Sequence, residues 1–146
     1  MDKNEFLIAL SESDKTDFGR IEFSDQSEDQ KVFSAIWELE SQVMNGGFGQ
    51  YFSNWGGDTA SYAPLALERI GALKCAAIVR EALQVVSGEP LASDHTTRSS
   101  LVSTLGEPAL ARLDALDSQF FEYPDNLTEL LYEFVRQHPQ QFGPVE

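Results

Sequence analysis

Six carboxylates between residues 107 and 146 have the residue type and spacing to bind cationic groups. Glu129 and Glu133 are four residues apart and Asp114 and Asp117 are three apart, so on helices the members of each pair would be neighbours. Only two cations follow residue 106. Such rows offer the same hard acceptor oxygens as a phosphate backbone, and a protein whose Lys and Arg bind DNA could bind them instead. The partner-binding candidates are Asp114, Asp117, Glu122, Asp125, Glu129 and Glu133.

A second set of polar side chains, amides and one carboxylate, lies in the glycine- and aromatic-rich segment Asn45–Asp58. One interpretation is a pocket for a polar ligand, which would make the protein a small-ligand-binding or enzymatic domain. The other is that these side chains satisfy backbone groups at helix ends exposed by the glycines. We favour the second interpretation, in which the segment is mainly structural.

Recognisable catalytic motifs are missing from the sequence. His95 and His138 belong to no metal-binding spacing, and Cys75 is the only cysteine, so neither a disulfide nor a cysteine pair for zinc can form. Nucleophile-elbow, Walker and dinucleotide-binding patterns are absent. Cys75 is expected to pack as a small hydrophobe. We therefore expect no catalytic residues, no metal and no cofactor, and predict that the protein is not an enzyme.

The carboxylate excess is concentrated at the two ends of the chain. The 146 residues include 24 Asp and Glu against 10 Lys and Arg, a net charge of −14. Residues 1–40 have a net charge of −7, residues 41–106 of −1 and residues 107–146 of −6. A surface of this sign repels nucleic acid and anionic membranes and attracts basic proteins. We expect neither direct nucleic-acid nor membrane binding, although an acidic surface can also serve solubility alone.

Length and composition predict one folded domain over residues 1–146. This is the usual size of a single domain, and a hydrophobic content of 42% argues against disorder. The first residues do not resemble a signal peptide, and no apolar stretch approaches the length of a membrane span. We therefore expect a cytoplasmic protein.

Hydrophobic periodicity predicts helices along most of the chain. Residues 3–11 are predicted to form the first helix, and Ser27 and Gln30 have capping-box spacing for the second, which should end at Gly46-Gly47. A short helix is expected at Phe48–Asn54. The next should end near Gly71, with Pro64 forcing either a late start or a kink.

The remaining elements are also predicted to be helical. Their expected ranges are Leu73–Val86, Thr97–Leu105, a helix with Pro108 in its first turn, and a last helix from Pro124-Asp125 to His138-Pro139. Phe18–Phe23 is the best strand candidate, and it is isolated. We therefore predict an all-α, compact single-domain bundle of about seven or eight helices.

The segment Asn45–Asp58 also carries a family resemblance. With the variable positions written as x, it reads N-G-G-F-x-Q-Y-F-x-N-x-x-G-D, which resembles the hallmark of the bacterial DNA-mimic-protein family, and Ile70-Gly71-Ala72 and Leu113–Pro124 match later parts of the pattern. The resemblance covers about residues 30–143, and residues 1–29 are expected to form an acidic N-terminal helix and loop outside it. Its motif residues here are Asn45, Gly46, Gly47, Phe48, Gln50, Tyr51, Phe52, Asn54, Gly57 and Asp58.

This resemblance implies an all-helical fold, a tendency to form homodimers, and a negative surface that imitates DNA. Our hypothesis is an acidic protein that binds a basic DNA-binding protein, such as a transcription regulator or nucleoid protein, and competes with DNA. Because the hallmark lies in the near-neutral middle of the chain, we infer that it builds the fold and that the mimicking surface lies elsewhere. An immunity-type inhibitor and the ligand-binding or enzymatic domain remain the alternatives.

Overall fold

The computed structural model describes residues 2–12, 22–54, 59–86 and 94–142, and within these ranges the protein is all-α. Its helices are α1 (Lys3–Ser11), α2 (Glu28–Ser53), α3 (Ala63–Arg69), α4 (Leu73–Val86), α5 (His95–Ser103), α6 (Glu107–Phe121), α7 (Leu127–Gln137) and α8 (Pro139–Phe142). The predicted fold class is confirmed. Of the strand candidate, residues 18–21 lie outside the described ranges, and Phe23 begins a short 3-10 turn, Phe23–Asp25.

Side-chain caps determine where several helices begin. The Ser27 hydroxyl accepts a hydrogen bond from the Gln30 backbone N–H at 3.2 Å, and the Gln30 side chain accepts one from the Ser27 N–H at 3.0 Å. This confirms the capping box predicted for α2. Asp2 and Glu5 form the same arrangement at α1. Pro64 lies in the first turn of α3, where a missing N–H costs nothing, so a late start resolves its awkward position.

Helix α2 is the centre of the fold. Helices α3, α5, α6 and α8 contact it, α4 packs against α3 and α6, and α1 packs against α7. Its residues Val32, Ile36, Leu39 and Val43 are almost fully buried and recur at helical spacing. Together with buried residues from the other helices they form one continuous hydrophobic core.

Three large apolar residues that the helical spacing alone would place in the core are exposed. Leu73 is 64% exposed because it is the first residue of α4, and the preceding Ala72 takes the buried position at that corner. Leu110 is 44% exposed because it lies about one turn before the buried stripe of α6, which begins at Leu113. Met44, which the periodicity of α2 also placed inward, is 41% exposed.

Candidate functional site

The pair Gly46-Gly47 forms a kink inside α2. Gly47 has φ 82° and ψ 179°, a conformation that is essentially restricted to glycine, and the chain returns to helix at Phe48. The predicted helix end is therefore found at this position as a single non-helical residue between two helical stretches. Phe48 and Phe52 from the second stretch are fully buried, so the kink directs both aromatic side chains into the core.

Asp117 of α6 binds the backbone at this kink. Its Oδ1 accepts a hydrogen bond from the Phe48 N–H at 2.8 Å, much as a capping side chain does at a helix N-terminus. A Cβ atom on Gly47 would lie 2.5 Å from Asp117 Oδ2. Burial raises the pKa of the Asp117 carboxyl, while the Phe48 N–H opposes that shift. The contact joins the glycine motif to the later Leu113–Pro124 motif.

Other hallmark side chains bond to Gln42 and Thr59, which lie just outside the motif. Gln42 Oε1 accepts hydrogen bonds from Gln50 Nε2 at 3.0 Å and from Asn54 Nδ2 at 2.9 Å, and the Tyr51 hydroxyl bonds to Thr59 Oγ1 at 2.6 Å. These contacts join side chain to side chain, so they tie the motif into the fold but do not supply the backbone hydrogen bonds at helix ends that the sequence-based interpretation assigned to it. Asn45 is exposed, and the predicted motif residues Gly57 and Asp58 lie outside the described ranges.

Arg98 of α5 binds the end of α2, a role that no sequence pattern indicated. It is only 1% exposed, and its guanidinium donates to the backbone oxygens of Phe52 at 2.9 Å and Asn54 at 3.1 Å. Ser99 Oγ donates to the Ser53 oxygen at 3.0 Å. A helix C-terminus has several carbonyls without intrahelical donors, and a buried cation there also interacts favourably with the helix dipole.

Two of the six predicted partner-binding carboxylates accept hydrogen bonds from backbone N–H groups of other helices. Asp117 binds Phe48 as described, and Asp125 Oδ2 accepts from the Cys75 backbone N–H at 2.8 Å in the first turn of α4. Cys75 is 1% exposed, as predicted for a packed thiol. Burial, and then the Asp125 charge, raise the pKa of the Cys75 thiol to about 12. Both aspartates therefore act within the fold.

The other four candidates differ in their surroundings. Glu129 pairs with Lys3 of α1, and Glu133 on the next turn of α7 adds to the field that raises the pKa of Lys3. Asp114 and Glu122 are exposed. α6 packs against α2 and α4 whereas α7 packs against α1, so the six carboxylates are distributed over two differently supported helices and the turn that joins them.

The two acid-rich ends of the chain meet in the fold. α1 lies on α7, where the rings of Phe6 and Tyr132 are 5.2 Å apart. Near the start of α2, Gln30 Nε2 donates to the backbone oxygen of Gln141 at 2.6 Å. We call the exposed and half-buried carboxylates of α1 and α7 the acidic face. With the two caps of α1, Asp2 and Glu12, counted as part of this face, carboxylates outnumber cations there by five to two.

Most cations in the described ranges are held by internal contacts. Five of the eight make ion pairs, which are Lys3–Glu129, Lys31–Glu28, Arg69–Asp29, Arg80–Glu68 and Arg112–Glu81. Arg98 is buried, and Arg136 lies 5.8 Å from the centre of the Tyr132 ring. The same ranges contain nineteen carboxylates, so fourteen take part in no such Lys or Arg pair. The surface thus keeps a large negative excess after local pairing.

Within the described residues, no group of three or more His, Cys, Asp or Glu side chains is arranged to hold a metal ion. Over the same ranges no helix is both long and apolar enough to cross a membrane.

By its structure the protein is an all-α domain with an acidic face and a glycine-kinked central helix. The family model for DMP19-like protein matches residues 24–138, and the chain belongs to this family, a DNA mimic protein family. The match begins and ends slightly earlier than the range of about 30–143 expected from the motifs. Neither the curated proteins nor the solved structures contain a significant match to the chain.

Proposed function

We propose that this protein imitates DNA in order to occupy a basic DNA-binding protein, such as a transcription regulator or nucleoid protein. The observation that carries the proposal is the meeting of the two acid-rich chain ends on α1 and α7, while most described cations are held by internal contacts. Membership of the DMP19-like family supports it.

Electrostatics would govern both the approach and the complex. A net charge of −14 attracts a basic protein from a distance and raises its association rate. At contact, Lys and Arg side chains that bind phosphates would make charge-assisted hydrogen bonds with carboxylates of the same acceptor chemistry. Binding should therefore weaken as salt rises, and it should exclude DNA from the partner's binding surface.

Not every acid can contribute equally to such a surface. Asp117 and Asp125 have oxygens committed to backbone N–H groups, so their main effect is to stabilise the fold. Asp114, Glu122 and Glu133 have no such internal hydrogen bond or ion pair in the described ranges. We assign the partner contact mainly to the acidic face, where Glu133 makes no ion pair and Glu129 is partly neutralised by Lys3. The exposed Asp114 of α6 and Glu122 at its C-cap lie outside that face and are assigned to the same contact as an extension of it.

The proposal is tested by capturing proteins from a cell lysate on the immobilised chain. It predicts that the captured set is enriched in DNA-binding proteins and that moderate salt or competing duplex DNA releases them. Capture of no basic DNA-binding protein would contradict it.

A pair of triple variants separates a specific surface from net charge. Asp114→Asn, Glu122→Gln and Glu133→Gln together should weaken capture strongly. The matched control neutralises three other carboxylates, Asp25→Asn, Glu38→Gln and Glu107→Gln, and should weaken it much less. Equal losses in both variants would mean that total charge determines binding, and the assignment of residues would be wrong.

A further inference from the structure

A groove of about 290 Å³ lies between α1 and α2, close to the acidic face. Its walls are largely apolar, and among the residues that the structure describes they contain a single ionisable one. Two of its apolar side chains, Ile8 and Met44, are 40% and 41% exposed, although large hydrophobic side chains usually lie inside a fold. The lining residues are Asn4, Ile8, Trp37, Glu40, Ser41 and Met44.

Trp37 in the wall of this groove packs on a core residue. Its ring stacks on Phe33, with ring centres 5.4 Å apart and an angle of 14° between the planes. Phe33 is itself 1% exposed and belongs to the core. A fixed aromatic side chain beside flexible methionine is typical of the residues that dominate binding energy at protein interfaces.

Glu40 is the ionisable residue of the groove. It is half-buried and makes no hydrogen bond or ion pair with any residue that the structure describes. Burial raises the pKa of its carboxyl above the usual value. A partly buried carboxylate without a partner is unfavourable, and a cation brought by an occupant would offset that cost.

We propose that this groove binds a segment of a basic partner protein that inserts an apolar side chain between Ile8, Trp37 and Met44 and places an adjacent Lys or Arg on Glu40. This inference rests on the proposed function and deepens it by naming a specific anchor beside the diffuse acidic face. The carboxylates of α1 and α7 would attract the partner, and the groove would fix its position.

Charge and size both favour this occupant. A second copy of the chain would bring a net charge of −14 to an acidic region, whereas a basic segment is attracted to it. Cofactor and drug-sized pockets usually measure about 300–1,000 Å³, so a groove at the lower limit fits one apolar side chain and its cationic neighbour.

Trp37 provides a direct readout of binding at the groove. The chain has two tryptophans, so Trp55→Phe leaves Trp37 as the only one. The probe is a short synthetic amphipathic helix of Leu and Lys, compared with a peptide of equal charge in which Ser replaces Leu. We expect a saturable change in Trp37 emission with the first peptide and affinity weaker by about tenfold or more with the second.

Substitutions in the Trp55→Phe background locate the contact. Glu40→Gln and Met44→Ser should each weaken the Leu–Lys peptide by about tenfold. Glu38→Gln is the matched control, because it removes the same charge from the same helix two residues away and should change affinity less than about twofold. Circular dichroism and thermal unfolding confirm that each variant is folded.

Three results would overturn the inference. They are an unchanged Trp37 emission on peptide addition, an equal loss from Glu38→Gln and Glu40→Gln, and an emission change caused by raising protein concentration alone, which would place a second copy in the groove.

Lysate capture separates failure of this inference from failure of the proposed function. If Glu40→Gln and Met44→Ser still capture DNA-binding proteins as strongly as the unmodified chain, the groove is not the anchor and the proposed function stands. If the peptide binds at Trp37 but the lysate gives no DNA-binding protein, the groove is a binding site and DNA mimicry is wrong.

Discussion

At Gly47 both the backbone conformation of α2 and the nearby side chain of Asp117 disfavour any residue that has a Cβ atom. The φ of 82° with ψ of 179° belongs to a region that costs other residues about 1–3 kcal/mol. Asp117 Oδ2 would also lie 2.5 Å from a Cβ at this position. Position 47 therefore requires glycine for two reasons, its backbone conformation and the closeness of Asp117.

Replacing Gly47 by alanine should reduce the free energy of unfolding by at least about 1–3 kcal/mol, since backbone strain and the contact with Asp117 both act against the folded state. Gly49→Ala is the control, because a Cβ there meets only Val102 at an ordinary 3.8 Å. That change should be neutral or stabilise by up to about 1 kcal/mol. Urea unfolding compares the two, and equal effects would contradict the assigned role of Gly47.

The hydrogen bond from Phe48 to Asp117 gives a second residue-level prediction. Asp117→Ala leaves the Phe48 N–H without this acceptor and should cost about 1–3 kcal/mol. Asp117→Asn keeps an acceptor oxygen and should cost less. Asp114→Ala, at an exposed position on the same helix, should stay within about 0.5 kcal/mol of the unmodified protein. If Asp114→Ala were as harmful as Asp117→Ala, the bond would not explain the loss.

The sequence could predict that Gly47 needs glycine but not what Asp117 does. A glycine pair at the end of an apolar periodic run indicates backbone freedom. An aspartate among many looks the same whether it faces solvent or binds a backbone N–H 69 residues away. The resemblance of both motifs to one family was the only sequence signal that connected them.

The helices themselves were predicted well where periodicity and caps agreed. α1 and α4 have the expected bounds, and the capping box of α2 is present. Less could be predicted for α5, which begins at His95, two residues earlier than expected, because its apolar pattern is weak. Its attachment to α2 depends on a buried arginine, and sequence patterns treat arginine as a surface residue.

Arg98 is expected to hold α5 on α2. Arg98→Met should strongly destabilise the protein, because it removes the donor to the Phe52 and Asn54 carbonyls, and each buried group left unsatisfied costs about 1–3 kcal/mol. Arg98→Lys should recover only part of the loss, since an ammonium cannot reproduce the planar guanidinium fork. Hydrogen exchange should speed up in α5 more than in α7. Unchanged exchange in α5 would contradict this role.

For the whole molecule, the packing of the chain ends could not be predicted. Periodicity identifies helices and their apolar faces but not which helices meet, so the charge totals of residues 1–40 and 107–146 did not indicate a common surface. In the structure α1 lies on α7, and Lys3 pairs with Glu129. The six predicted partner-binding carboxylates had appeared equivalent, and this packing distinguishes them.

Two half-buried carboxyls give the folded protein a pH-dependent stability. Burial raises the pKa of Glu40 and Asp117, so the folded state binds their protons more tightly, and their contribution to stability is lost as pH rises through the raised pKa values. The Arg80 hydrogen bond to Glu68 and the Thr97 hydrogen bonds to Asp94 lower the pKa values of those two carboxyls. The contribution of these two groups to stability is therefore present near neutral pH and is lost as pH falls through the lowered pKa values.

We therefore expect the melting temperature to be higher near about pH 5 than near about pH 7.5, where self-repulsion among the carboxylates is also greater. Glu40→Gln should reduce this difference, and Glu38→Gln should leave it nearly unchanged. Calorimetry across this range measures the effect. A melting temperature that rises steadily from pH 5 to 7.5 would contradict it.

Competition with DNA for one captured partner is the measurement that tests DNA mimicry most directly. The partner is titrated with its labelled DNA at several fixed concentrations of this protein and at two salt concentrations. If the protein imitates DNA, the apparent Kd for DNA should rise in proportion to its concentration, more strongly at low salt, and no complex of all three components should form. A stable ternary complex, or a DNA affinity independent of this protein, would contradict mimicry.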